Sequence, residues 1–506
     1  MGHSAIYRPF GSNSKWTLVL FLLIGLRLNA QAPPWVRAGS FGGPGSDFRP
    51  GVKVTETGEE FVTGSFSSTA EFGKKVLVSA GDSDIFLDKH GRFGARRWIV
   101  QAGGSGHDEG TDIALDGAGN AYVTGWFTDS ATFASTDGSS KTVTGVGETV
   151  FLAKYRSSGV LAWIQTGTVG SIFVNRGHGV AIEPISGSLY ITGVSQGSTM
   201  FSSSDGTANT VPGPGTWHMF LVKYDTDGNF KWGEWNQASP NTVPEKVAVD
   251  SDSSAYVTGW FEGKATFHSH DGQDQTVVGL SQPVGRPPDF PDDSFVAKYD
   301  SSGNLKWVND IGGYKAITTD IAISSDGKVS ITGFIGNIGS GTTLQGETIV
   351  TSQPPGSNIN LGGGQFTAPY NKDAVIATYD ANGVLLNASR IGAAKNDGGS
   401  GIAYDQAGNL YLAGVFAGTI NVVGHLLRGT KTHNLFVLKY GTAGLVWAKK
   451  ANGAGTDQFE SGNPRLSVIP GGGVLVTGAY LDTAVFGDIT LQSAGAEDIF
   501  LALVGR

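Results

Sequence analysis

Apolar and polar residues alternate in short runs along this chain, and the runs recur in a fixed order. Residues 112–116 (D-I-A-L-D) alternate and end at Gly117-Ala118-Gly119-Asn120, a hairpin signal. Residues 121–127 (A-Y-V-T-G-W-F) follow, rich in the β-branched and aromatic residues that favour a pleated, half-buried surface. After a variable connection come residues 150–155 (V-F-L-A-K-Y), the turn 156–159 (R-S-S-G) and residues 160–165 (V-L-A-W-I-Q). This pattern predicts four short antiparallel strands, designated a, b, c and d.

The second of these phrases returns seven times, ending at Gly64, Gly125, Gly193, Gly259, Gly333, Gly414 and Gly478. A copy of the c phrase follows each one. Repetition on this scale means stacked units, none of which buries its apolar face alone. The expectation is an all-β, seven-bladed β-propeller of four-stranded antiparallel blades. Length varies mainly between strands b and c, with long insertions at about 267–293 and 337–372. In a propeller the b–c and d–a connections emerge on one face, so the insertions are expected to crowd it. A tryptophan marks strand d at Trp98, Trp163, Trp232, Trp307 and Trp447. The last blade lacks strand d, and residues 35–39 (W-V-R-A-G) read as that strand, closing the ring. Residues 31–506 then form one domain.

Composition agrees with many short strands and tight turns, since glycine is 77 of 506 residues and charged residues only 16%. Residues 1–30 read as a signal peptide: Arg8 and Lys15 precede a short apolar run at 16–26, with Ala30 as the cleavage position. That run is too short to span a bilayer comfortably, so no membrane span is expected after cleavage. The expected location is secreted, periplasmic or extracellular. Without the leader the net charge falls from −9 to about −12, and no basic run is present, which argues against a nucleic-acid partner. The absence of cysteine excludes disulfides, thiolate metal sites and a Cys nucleophile.

Residues 294–307 (S-F-V-A-K-Y-D-S-S-G-N-L-K-W), with Phe486-Gly487 and Ser493-Ala494-Gly495 in the last repeat, resemble the bacterial β-propeller repeat family known as SBBP. The resemblance runs through the whole mature chain. It implies the propeller fold and carries no agreed catalytic motif. The first repeat departs with Asp88, His90 and Arg97, and the fifth has Asn387 where the strand d tryptophan belongs.

Chemistry is sparse. The residue after the repeat glycine varies, and Trp126 and Trp260 at that position are candidate stacking platforms for a sugar or peptide; the alternative is packing between blades. The d–a loops hold Asp47 and Arg49; His107, Asp108 and Glu109; Arg176 and His178; Lys395 and Asp397. Converging on the channel, these would hold a polar ligand or a bound cation. The alternative is that Asp beside Gly satisfies turn backbone groups. His268 and His270 would share a face if extended, as weak candidates for a metal pair. No G-x-S-x-G, H-E-x-x-H or phosphate loop is present. These readings lead to a monomeric, non-catalytic binding scaffold for a glycan or protein partner, with no required cofactor. The ligand-binding candidates are Trp126, Trp260, His107, Asp108, His178 and Asp397. The rival class is a polysaccharide hydrolase or lyase using the polar d–a loop groups.

Overall fold

The computed structural model describes residues 31–505 apart from 171–172, 280–291, 312–315, 336–357, 362–363, 368–371, 394, 431–432 and 455–463. The leader at 1–30 and most of the 337–372 insertion lie outside the described residues. All regular structure among the described residues is β-strand. Strand pairing resolves into seven four-strand units. In the second, Glu109–Leu115, Ala121–Ala134, Ser140–Tyr155 and Leu161–Val169 pair antiparallel in chain order. The innermost strands are Phe48–Val54, Glu109–Leu115, Asn175–Ile182, Thr242–Val249, Ala316–Ile323, Gly398–Tyr404 and Arg465–Ile469. Each touches the next, and Arg465–Ile469 touches Phe48–Val54.

Strands b and c carry the core because both faces are covered, and residues of Glu60–Phe66 and Leu410–Phe416 are buried throughout. The c–d hairpin then latches unit to unit. Lys154 lies over the Tyr122 ring at 5.1 Å. Its Nζ and Trp163 Nε1 both donate to the Thr226 carbonyl in the next unit's c–d turn, at 2.9 and 3.2 Å. The same pairing joins Lys89 and Trp98 to Ser157, Lys223 and Trp232 to Ser301, and Lys298 and Trp307 to Ala381. Gly228, at φ +83°, lies over Trp163 so closely that a Cβ would stand 3.0 Å from the indole. The turn needs glycine both for its left-handed backbone and for the absent side chain.

Besides the sixth unit, whose Lys439 instead pairs with Asp405 of its own unit at 3.7 Å, two units depart from this latch. In the fifth, Thr378 and Asn387 replace lysine and tryptophan, and Ser330 Oγ instead meets Thr378 Oγ1 at 2.7 Å and Tyr404 Oη at 2.6 Å. The second departure concerns the strand the sequence left over. Trp35–Phe41 does run antiparallel to Asp498–Val504, but Trp35 faces Val504, and Arg37 faces Leu503, the place of the latch tryptophan. Arg37 pairs with Glu60 of the first unit and packs under Gly94 of its c–d turn. A guanidinium thus stands where an indole was expected. In the first unit Asp88 is buried and held by Arg96 (2.6 and 2.7 Å) and His90 (2.8 Å).

In the second, third and fourth units the b–c connections form hairpins that add to the preceding unit's strand d, whereas those of the first, sixth and seventh form separate two-stranded sheets. Thr199–Ser202 pairs with Leu161–Val169, and Lys264–Phe267 with Phe230–Ser239. Phe133 likewise faces Ala102. Strand d is otherwise an open edge with unpaired backbone groups, so these hairpins cover it.

Candidate functional site

The d–a aspartates work first as backbone clamps. Asp108 accepts N–H groups from Gly104 at 2.6 Å and Thr128 at 2.9 Å; Asp397 accepts from Ala393 and Ala417, both at 2.9 Å. Asp47 repeats the arrangement with Gly43 and Ser67. All three are buried. Burial pushes Asp108 and Asp397 up to about 6, against the lowering effect of the donated N–H groups. Asp108 and Asp397 therefore serve the turns in which they sit.

Four sequence candidates do gather, where the first three units meet. His107 accepts or donates through Nδ1 to Ser83 Oγ at 2.9 Å and through Nε2 to Glu109 Oε1 at 2.7 Å, and its ring stacks 6.0 Å from Phe48. Asp108 follows it directly. Trp126 lies 6.2 Å from the His107 ring and 6.4 Å from that of His178. His178 Nδ1 meets the Pro244 carbonyl at 2.7 Å. Trp126 is only 1% exposed. It is not an open platform, because the Arg176 guanidinium, 4.9 Å from its ring and paired with Glu148, covers it. Trp260 is half-buried in the fourth unit, facing Val243 and Ser294 on its flanking strands, and Asp397 belongs to the turn after the fifth. His268 and His270 do not converge: His268 meets Asp274 at 2.7 Å and stacks on Trp235 at 4.1 Å, whereas His270 meets Glu234 at 3.2 Å. Among the described residues no group of three metal-ligating side chains is present.

The sequence reading missed the centre of the molecule. All seven innermost strands line one cavity of about 340 Å³. In register, the residue opposite the repeat threonine (Ala413 in the sixth unit) is Gly51, Asp112, Gly179, Lys246, Asp320, Gly401 or Arg465, one per strand. Two aspartates and two cations thus share a level with three glycines. Lys246 Nζ reaches across the Gly179 strand to Asp112 Oδ1 at 3.0 Å, and Asp112 Oδ2 accepts the Val180 N–H at 3.0 Å. Across the ring Asp320 accepts the Ile402 N–H at 2.9 Å, the same geometry, while Arg465 donates to the Thr319 and Ser400 carbonyls. Burial lowers the Lys246 pKa, partly offset by Asp112, and raises that of Asp320 against the pull of Arg465 and Lys246. Two residues further along each strand the ring is Lys53, Ala114, Ala181, Ala248, Ala322, Ala403 and Ser467. The aligned strings G-V-K-V, D-I-A-L, G-V-A-I, K-V-A-V, D-I-A-I, G-I-A-Y and R-L-S-V carry this signal in the sequence.

Residues 97–126 match the family model of the SBBP beta-propeller repeat. An uncharacterized WD repeat-containing protein, L264, of Acanthamoeba polyphaga mimivirus is 25% identical over 443 residues. That match covers 76% of this chain and 31% of the relative, so the chain spans less than a third of it. Among solved structures, the Dos1 propeller is similar at 8% identity and TM-score 0.40, covering 94% of this chain and 95% of its own. The Pan2 WD40 domain of Neurospora crassa is similar at 9% identity and TM-score 0.38, covering 94% and 98%.

Proposed function

We propose that the chain is a closed seven-bladed propeller, exported to the periplasm or cell exterior, that acts as a monomeric, non-catalytic binding scaffold for a glycan or protein partner. Seven equivalent four-strand units support the blade count. Contact between the last and first innermost strands, and the pairing of Trp35–Phe41 with Asp498–Val504, support closure. The observation that carries the binding reading is the contrast between repeated and single residues. Lysine, tryptophan and aspartate that recur from unit to unit are consumed by latches and turn clamps. His107, Arg176 and His178 occur once, share one patch on the d–a side, and leave the His107 side chain 41% exposed. Arg176 packs on Trp126, while His107 keeps an exposed edge for a ligand to meet.

Glycan-array and pull-down experiments with the purified protein test this. The expectation is retention of one ligand class, weakened tenfold or more by His107→Ala, with a smaller loss for Trp260→Ala. Retention that is unaffected by both replacements sinks the placement on this face. A catalytic reading draws on one specific observation, the Ser83–His107–Glu109 hydrogen-bond chain. Against it, Ser83 is buried and its hydroxyl donates to the Asp108 carbonyl at 3.2 Å, away from any substrate. Turnover of a polysaccharide that disappears in His107→Asn would favour that reading.

A further inference from the structure

We propose that the central cavity is a binding site for a small carboxylate, held by Lys53 with Lys246 and Arg465 behind it. Three cations and two carboxylates face the cavity, an excess of one positive charge. Both carboxylates are already engaged: Asp112 by Lys246 and a backbone N–H, Asp320 by a backbone N–H with Arg465 nearby. Coordinating a metal cation would require stripping these bonds and placing it beside three positive groups. An anion requires neither, so the charge balance favours an anion over the cation suggested by the loop carboxylates.

Lys53 is the residue that makes the site. Six of the seven positions at its level are alanine or serine, which keeps the cavity open, and only the first repeat places a long side chain there. Lys53 is exposed, and among the described residues no carboxylate pairs with it. Nothing in the repeat needs it: the equivalent alanines pack without it. A lysine with neither a packing role nor a counterion, projecting into a chamber floored by Lys246 and Arg465, is arranged to meet an incoming negative group.

The shape adds a direction. The cavity lining runs from the charged ring toward the a–b turns, and at Val54 and Tyr404 it joins a second hollow of about 450 Å³ between the turns of the first, sixth and seventh units. The combined space lies in the range of ligand pockets, about 300–1,000 Å³. This entry is on the opposite side from the His107 patch, so the two proposals stand or fall separately. Inside the outer hollow, which Glu56, Asp405 and Lys439 line, the inner cavity's single excess charge and walls of alanine and aliphatic side chains fit a monoanion with a compact body better than a multiply charged phosphate.

Isothermal titration of the purified protein with galacturonate, acetate, inorganic phosphate and calcium chloride tests the assignment at fixed ionic strength. The expected result is saturable binding of the carboxylates, strongest for galacturonate, falling at least tenfold in Lys53→Ala. Because Lys53 holds no structural contact, that variant should melt at the same temperature as the parent. Lys53→Arg should restore most of the binding. Binding of phosphate alone overturns the carboxylate assignment. Calcium binding lost in Asp320→Asn, no saturable binding of any anion, or carboxylate binding unchanged in Lys53→Ala overturns the site.

Discussion

Burial and the neighbouring Asp498 push the Asp47 carboxyl up to about 8, although Gly43 and Ser67 each donate it a backbone N–H. Asp373 is raised to about 7, and Asp108 and Asp397 to about 6, by the same desolvation. A carboxyl that keeps its proton in the folded chain and loses it near pH 4 in the unfolded one binds more protons when folded. Its contribution is therefore complete below about pH 4 and is lost as pH rises through the folded value. Urea midpoints are expected to decline from pH 5 to pH 8, with Asp47 dominating the upper part, and Asp47→Asn should flatten the pH 6–8 segment. A midpoint that rises across this range contradicts the protonated assignment. The Lys246–Asp112 pair gives a second test at this scale. Lys246→Met leaves a buried carboxylate with one N–H partner and is expected to cost about 3–5 kcal/mol in urea denaturation at pH 7. Adding Asp112→Leu should recover much of that loss.

The c–d turn is the element that couples neighbours, and its glycine separates strain from docking. Gly408→Ala, in the a–b turn of the sixth unit, places a side chain at φ +77° with nothing within 4 Å, so it measures the backbone strain of such a left-handed turn position alone. Gly228→Ala adds contacts at 2.7 Å to Ser204 Oγ and 3.0 Å to the Trp163 ring. It is expected to be the more destabilising by about 1–3 kcal/mol, the usual cost of overpacking, read from thermal or urea melts. Equal losses would mean the turn does not press on the indole. Strands b and c were legible because their phrases return in every unit. The register of residues 35–39 was not, because W-V-R-A-G resembles the latch phrase while pairing with Val504 places Arg37 in the tryptophan's position. The burial of Trp126 depends on Arg176 from another unit, some 50 residues away, and no local pattern reports it. The b–c segments read as loops for a face, yet those of the second, third and fourth units pair with the preceding strand d, a long-range choice made by an exposed edge. The charged ring assembles single residues spaced roughly 60–80 apart, visible only once the strands are aligned by their glycine register.

At the scale of the whole molecule, the joints between units are unequal, and that decides where it opens. Four successive joints use a lysine, a tryptophan and a shared carbonyl. The joint from the sixth unit to the seventh keeps, among the described residues, Lys439 and a buried Trp447 without that carbonyl, and the joint from the last unit to the first uses Arg37 and Glu60. At the joint from the fifth unit to the sixth the latch position holds only hydroxyls, Ser330 with Thr378 beside it and Tyr404 across the joint. A neutral hydroxyl bond nets about 0.5–1.5 kcal/mol, and it replaces both a charge-assisted bond and the large apolar burial of an indole. In an array whose stability is a sum of unit and interface contributions, opening begins at the weakest interface. Native-state hydrogen exchange is therefore expected to show the strands Asp373–Tyr379 and Leu385–Ile391 exchanging through subglobal opening, before those of the second and third units. Removing residues 31–41 should move that first opening to the seventh unit. The deletion strips the Asp498–Val504 strand of its partner, and an unpaired edge of seven residues is an invitation to association. Light scattering should then report concentration-dependent oligomers, reversed by Trp35–Phe41 supplied as a peptide. If the shortened protein stays monomeric with its original melting temperature, the pairing of the first and last strands contributes little to stability, and the ring holds through its innermost strands alone.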